Sequence, residues 1–152
     1  MHPDLKKIAD LLNSIDGDRY LVLRFGLACV EEVASNLEND DVIAVLNEFR
    51  RCLNVFAPTT EAELKRLALT ISHLAASHPG SRSIDGTRHA AVSATYALAR
   101  AVNGHAIDAA AYAAYSCVYG YGGYAVSDPD AFSEVHQRQL LSLRRLMEST
   151  LA

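Results

Sequence analysis

The side chains best suited to chemistry in this sequence are histidines next to carboxylates. Four of the six histidines, His73, His78, His89 and His105, fall in one stretch of the chain. Two of them stand at helical spacing from an acid, as Asp85-x-x-x-His89 and His105-x-x-Asp108. Imidazole and carboxylate are the groups that zinc takes, but a zinc site needs three or four of them. His89 and His105 are sixteen positions apart along one helix and its stop, which at helical rise is roughly 24 Å. No single ion spans that distance, and each pair alone supplies too few ligands. Locally hydrogen-bonded or ion-paired histidines are therefore the expectation, with no metal and no cofactor. A metal-binding protein or small helical enzyme using His78, Asp85 and His89 stands as the alternative.

The nucleophile candidates carry less. Ser116 and Cys117 share a helix with no glycine elbow before them, and Cys29 lies in the most apolar helix. Gly120-Tyr-Gly-Gly lacks a lysine and follows a helix, so it is no phosphate loop. Cys29, Cys52 and Cys117 cannot all pair within the chain and match no Cys-x-x-Cys pattern. All three are predicted to be buried, reduced thiols, as in a reducing cytoplasm. No residue is assigned a catalytic role, and the chain is not expected to be an enzyme.

The elements that position these groups are helical throughout. Leu5, Ile8, Leu12 and Ile15 form a short apolar stripe ended by Asp16-Gly17-Asp18. Tyr20, Leu23, Leu27, Val30, Ala34 and Leu37 follow at three-and-four spacing, with Val22, Phe25, Cys29 and Val33 alongside. A helix apolar over this much of its girth belongs at the centre of its domain. Asn39-Asp40-Asp41 opens a third helix, with acids at its start and Arg50-Arg51 near its end, as the helix dipole favours. Thr60-x-x-Glu63 has the form of a capping box opening a fourth.

After the loop Ser77 to Ser83, a fifth helix is predicted from about Asp85 to Asn103, where Asn103-Gly104 stops it. A sixth runs from about Ala106 to Tyr119, and a seventh starts at Asp128-Pro129. The fold class is all-α, a compact bundle of about seven helices in a single domain, residues 1–152. Its fifth and sixth helices form an antiparallel Ala-rich hairpin, because the link between them is so short.

Bulk properties narrow the partners. The chain has 152 residues, 50% of them hydrophobic, which suits one domain with a buried core. A net charge of −4 argues against nucleic acid and anionic membranes, which need a basic surface, and leans toward a basic partner. Ala109 to Ser127 are nineteen residues without a formal charge, near the length of a membrane span. The run is nevertheless Ala, Tyr, Gly and Ser, broken at Gly120, and reads as a buried helix entering a turn. Charges at Asp4, Lys6 and Lys7, where a secretion signal needs its apolar stretch, point to a cytoplasmic protein.

Two surfaces collect unusual residues. If the hairpin turns at Gly104, residues equally far on either side lie together, so His89 should face Tyr119. Asp85 and Arg88 should then fall near Tyr121 to Tyr124, with Arg82 and the start of the seventh helix at the same end. Arg82, Asp85, Arg88, His89, Tyr119, Tyr121 and Tyr124 thus form a candidate partner-binding face of the residue types favoured at hot spots. The competing reading is structural: Tyr112, Tyr115 and Tyr119 fall at i, i+3 and i+7, as on a packed face. The second surface is an acidic patch, Glu31, Glu32, Glu38, Asp40, Asp41 and Glu48, able to steer a basic partner or to serve as a plain solvated face.

Leu27-Ala-Cys-Val-Glu31, His89-Ala-Ala with Ala94, Gly104-His105 and Ala111-Tyr-Ala113 carry a resemblance over much of the chain. On these strings it resembles the all-helical immunity proteins of bacterial polymorphic-toxin systems, in the family catalogued as number five. A tryptophan run expected ahead of Cys29 is replaced by Leu23-Arg-Phe-Gly26. The resemblance implies a cytoplasmic protein that neutralises a cognate toxin by binding it, without chemistry of its own. It assigns no contact residues. A helical self-associating scaffold, and with it a homodimer, is the remaining alternative.

Overall fold

Short polar side chains take over unpaired N–H groups where several of the helices begin. His2 accepts from the Asp4 N–H at 3.1 Å, and Pro3 opens α1 (Pro3–Ser14). Asp18 accepts from the Leu21 N–H at 3.0 Å at the start of α2 (Arg19–Glu31). Asn39 holds the Asp41 and Val42 N–H groups at 2.8 and 3.3 Å and opens α3 (Asp40–Asn54). The remaining elements are α4 (Thr60–Ala76), α5 (Thr87–Val102), α6 (Ala106–Tyr119) and α7 (Pro129–Thr150), with one 3-10 turn at Ala34–Asn36. This computed structural model describes residues 1–77, 87–121 and 126–150, with the backbone alone at 87, 88 and 150. Among the described residues the regular structure is all helical, a bundle of seven α-helices as predicted. No helix among them is long and apolar enough to cross a membrane.

The apolar stripes meet in one main core. Phe25 and Leu23 from α2, Phe49, Leu46 and Leu53 from α3, and Ile71 from α4 are fully buried in it. Leu98 from α5 and Leu143 from α7 join them. Helix α2 runs through the middle, as its apolar girth predicted. Gly26 lets it do so: a Cβ there would stand 3.1 Å from Ala101 Cβ and 3.2 Å from Ala101 Cα on α5.

Helices α5 and α6 pack tightly through Ala90, Ala94, Ala97 and Ala101 on one and Ala106, Ala109, Ala110 and Ala113 on the other, all buried. Their turn is a Schellman close. The His105 N–H reaches Arg100 O at 2.9 Å and the Gly104 N–H reaches Ala101 O at 3.1 Å, with Gly104 at φ +78°. That left-handed backbone is the reason for glycine at this position.

Three local expectations are corrected. Helix α2 stops at Glu31 instead of running to Leu37. From Val33 onward, three-residue bonds replace the helical ladder: Val33 N–H to Val30 O, Asn36 N–H to Val33 O and Leu37 N–H to Ala34 O. Val33 and Leu37 stay buried, so the apolar spacing persists through a tighter winding that periodicity alone does not separate from α-helix.

The capping box does not form. Thr60 lies inside α4, buried, with its hydroxyl accepting from the Ala57 N–H at 3.0 Å and donating to Val55 O at 3.4 Å. Glu63 turns away to Arg51 and to the Cys52 thiol at 3.1 and 3.3 Å. A charged partner across the helix pair outcompetes a local backbone bond. Finally, Cys29 and Cys52 are buried, but Cys117 is only half-buried. Burial and the nearby Glu32 push the Cys29 thiol up, and burial with Glu63 pushes Cys52 up to about 11, so both stay protonated.

Candidate functional site

The close hairpin dictates which rings meet. His89, near the start of α5, stacks on Tyr119, at the end of α6, with ring centroids 4.8 Å apart and planes at 17°. Tyr96 and Tyr112, eight positions either side of Gly104, stack at 5.5 Å. The seam is pinned by Ser116, fully buried, whose hydroxyl donates to Ala90 O at 2.7 Å and accepts from Asn36 Nδ2 at 3.0 Å. From Tyr119 the rings continue along α6 to Tyr115 at 6.3 Å and across to Phe132 on α7 at 5.1 Å, edge to face. His89, Tyr119, Tyr115 and Phe132 make a row of rings crossing three helices. Tyr115 is 43% exposed and Tyr121, just beyond α6, is 54% exposed.

Of the face predicted from sequence, His89, Tyr119 and Tyr121 lie at this end. Arg82, Asp85 and Tyr124 are outside the described residues, as is His78, and Arg88 is placed on α5 by its backbone only. Their share of the predicted convergence is therefore not described. Tyr121 has other neighbours: its hydroxyl lies 3.7 Å from Cys117 Sγ, and Arg138 donates to the same sulfur at 3.6 Å. Arg138 also pairs with Glu32 at 3.5 Å and Glu134 at 3.6 Å, which ties α7 to the end of α2.

The acidic patch separates into two halves. Arg50 grips Glu31 with both arms of its guanidinium, at 2.5 and 2.7 Å. Arg51 donates to Glu48 at 2.6 Å, and Arg138 takes Glu32. The Arg51 guanidinium holds the Glu48 carboxyl below its ordinary range. Glu38, Asp40 and Asp41 are exposed and make no ion pair among the described residues. Three arginines, one of them local on α3 and two from farther along the chain, neutralise half the apparent field.

The histidines that meet are not those singled out by spacing. Among the described residues no group of three or more His, Cys, Asp or Glu side chains could hold a metal ion. His2 and His136, at opposite ends of the chain, have ring centroids 5.2 Å apart. Beside them Ser133 Oγ lies 3.0 Å from His2 Nε2, and Asp4 lies 3.9 Å from His2 Nδ1. That resembles a Ser-His-Asp arrangement, but the proton sits on the wrong nitrogen.

His2 Nδ1 accepts from the Asp4 backbone N–H, so the neutral ring carries its proton on Nε2. Nε2 faces Pro129 O at 3.3 Å as well as Ser133, and the Ser133 hydroxyl donates to Pro129 O at 3.3 Å. A general base must offer a lone pair to the serine hydroxyl. Here the imidazole presents a proton, and its effect is to clamp the N-terminus onto the first turn of α7. No sequence signal joins residues this far apart.

No family model matches this chain, and no curated protein or solved structure matches it.

Proposed function

We propose that this protein is a non-catalytic binding protein of the immunity type, which neutralises a bacterial toxin by docking its tyrosine-rich end against it. The observation that carries the reading is the row of rings His89, Tyr119, Tyr115 and Phe132, in which Tyr115 is exposed, with the exposed Tyr121 just beyond α6. Rings held by stacking across three helices lose little conformational entropy when a partner covers them, and tyrosine is enriched among interface hot spots. The toxin as partner rests on the resemblance of the alanine-rich strings in α2, α5 and α6 to immunity proteins. The wrong-handed tautomer at Ser133 and His2 favours binding over hydrolysis. Glu38, Asp40 and Asp41, which make no ion pair among the described residues, are a secondary surface, suited to steering a basic toxin. A cytoplasmic site of action belongs to the same proposal.

The experiment is co-expression with the product of the adjacent gene, scored by cell survival and by co-purification of a complex. Tyr115→Ala combined with Tyr121→Ala is expected to weaken toxin binding by about 100-fold or more, since one hot-spot side chain is worth about 2 kcal/mol. Both rings are at least two-fifths exposed, so the thermal midpoint should stay within about 2 °C. Unchanged protection by the double variant discards this face. A neighbour that is harmless when expressed alone discards the toxin reading.

A further inference from the structure

A cleft of ≈ 410 Å³ opens between the N-terminus, α6 and the start of α7, walled by Leu5, Ala111, Tyr115, Val126 and Phe132 and reaching His136. That volume lies within the range of small-molecule sites, which pair apolar walls with a few placed polar groups. Of the polar residues that line it, His2, Ser127 and His136, the last is the buried one, only 2% exposed. Its tautomer follows from its neighbours. Gln139 Nε2 donates to Ala110 O at 2.9 Å, so the amide turns its oxygen toward His136 Nδ1 at 2.8 Å. Nδ1 must therefore carry the proton, and Nε2 keeps a lone pair.

That lone pair has no partner among the described residues. The neighbouring His2 cannot supply a donor, because its own Nε2–H is directed at Pro129 O and Ser133 Oγ. A buried acceptor that no described side chain serves favours a ligand whose donor can reach it from the cleft. The walls specify the rest. Phe132 lies near-parallel to the His136 ring at 6.4 Å, and Tyr115 meets Phe132 edge to face, so the cleft presents aromatic surface beside the His136 acceptor.

We propose that this cleft binds a small planar aromatic molecule carrying one O–H or N–H donor, of the phenol or indole class. Its ring packs against Phe132 and Tyr115, and its donor bonds to His136 Nε2. Burial holds the His136 imidazole neutral, which keeps the acceptor available. The cleft does not depend on the toxin reading, although Tyr115 borders both surfaces.

The test titrates the full chain with p-cresol and with toluene, which share a ring and methyl group and differ in the hydroxyl. Binding is read by calorimetry and by the chemical shifts of His136. p-Cresol is expected to bind at least tenfold tighter than toluene, and His136→Phe is expected to erase the difference while toluene still binds. Ala111→Leu, which fills the cleft from α6 without touching the His136–Gln139 bond, should abolish binding of both probes. It carries the test should His136→Phe fail to fold. Equal affinities, no binding of either probe, or a preference surviving both variants overturns the proposal. Tighter binding of N-acetyltyrosinamide than of p-cresol overturns it too, by assigning the cleft to a partner's side chain.

Discussion

Glu31, Glu32 and Glu48 at the α2–α3 corner and the rings at the far end of the α5–α6 hairpin are both clusters of partner-seeking side chains, yet folding treats them differently. At the corner, Arg50, Arg51 and Arg138 reach in and pair the carboxylates. At the hairpin end, His89, Tyr119, Tyr115 and Phe132 stack on one another, and Tyr115 and Tyr121 keep much of their surface in solvent. The contrast lies in what each interaction consumes. An ion pair uses up the charge that would have attracted a partner. Stacking uses one face of a ring and holds the other in place. Residue type already favours the rings, whose kinds are enriched at hot spots, and folding widens the difference by pairing half of the acids.

The comparison can be broken most strongly at Ser116, whose buried hydroxyl joins α6 to α5 and to the 3-10 turn. Ser116→Ala removes the nearer acceptor of the Asn36 amide, at 3.0 Å, leaving it the residue-116 carbonyl at 3.4 Å, and should cost about 1 kcal/mol of stability, read by denaturant unfolding. If the seam holds the rings in register, the variant also weakens His89–Tyr119 stacking, seen as loss of ring-current shifts on His89. Intact shifts would detach the row of rings from the seam.

A smaller effect separates the two regions by pH. His136 has its pKa lowered from 6.5, first by burial, so the unfolded chain takes up a proton that the folded chain resists. Stability is therefore full above about pH 6.5 and falls as the pH drops below it. For the carboxylates the sign is the same and the window lower. Glu48 at the corner, and Glu61 paired with Arg19 between the starts of α4 and α2, have pKa values lowered from 4.5, so their contribution persists until the pH falls below that value. Thermal midpoints should decline in two stages on acidification, and His136→Phe should remove the upper one. A single decline below pH 4.5 in the wild-type chain would contradict this division.

The smallest effect belongs to the corner itself. Arg50→Ala removes a two-armed pair whose partners are each more than a third exposed, and it should cost no more than about 0.5 kcal/mol after screening by solvent. A large loss would promote the corner from surface decoration to structural anchor. Toxin binding that strengthens when Arg50 frees Glu31 would instead revive the acidic patch as the docking surface.

Much of the scaffold was legible because it is local. Asn39, Gly104 and Pro129 announce helix boundaries through chemistry confined to a few neighbours, and the short link at Gly104 leaves α5 and α6 only one way to pack. From that register alone, His89 could be set opposite Tyr119. The reading failed where a distant group competed with a local one. Thr60 and Glu63 have the capping pattern, but Arg51 and Cys52 draw Glu63 away. The spacing from Val30 to Leu37 suits α-helix and 3-10 turns alike, and Asn36 reaches Ser116 on another helix.

Sequence by itself determined the helices, most of their ends and the hairpin, since backbone capping, glycine's left-handed freedom and apolar period act within a turn or two of the chain. Only the tertiary structure decided which side chains have a partner. It brought His2 to His136, turned Gln139 so that one imidazole nitrogen stays bare, and laid arginines over half of the acids. Hydrogen bonds and ion pairs are made at about 3 Å, and residues more than a hundred positions apart come that close only when the helices between them have packed.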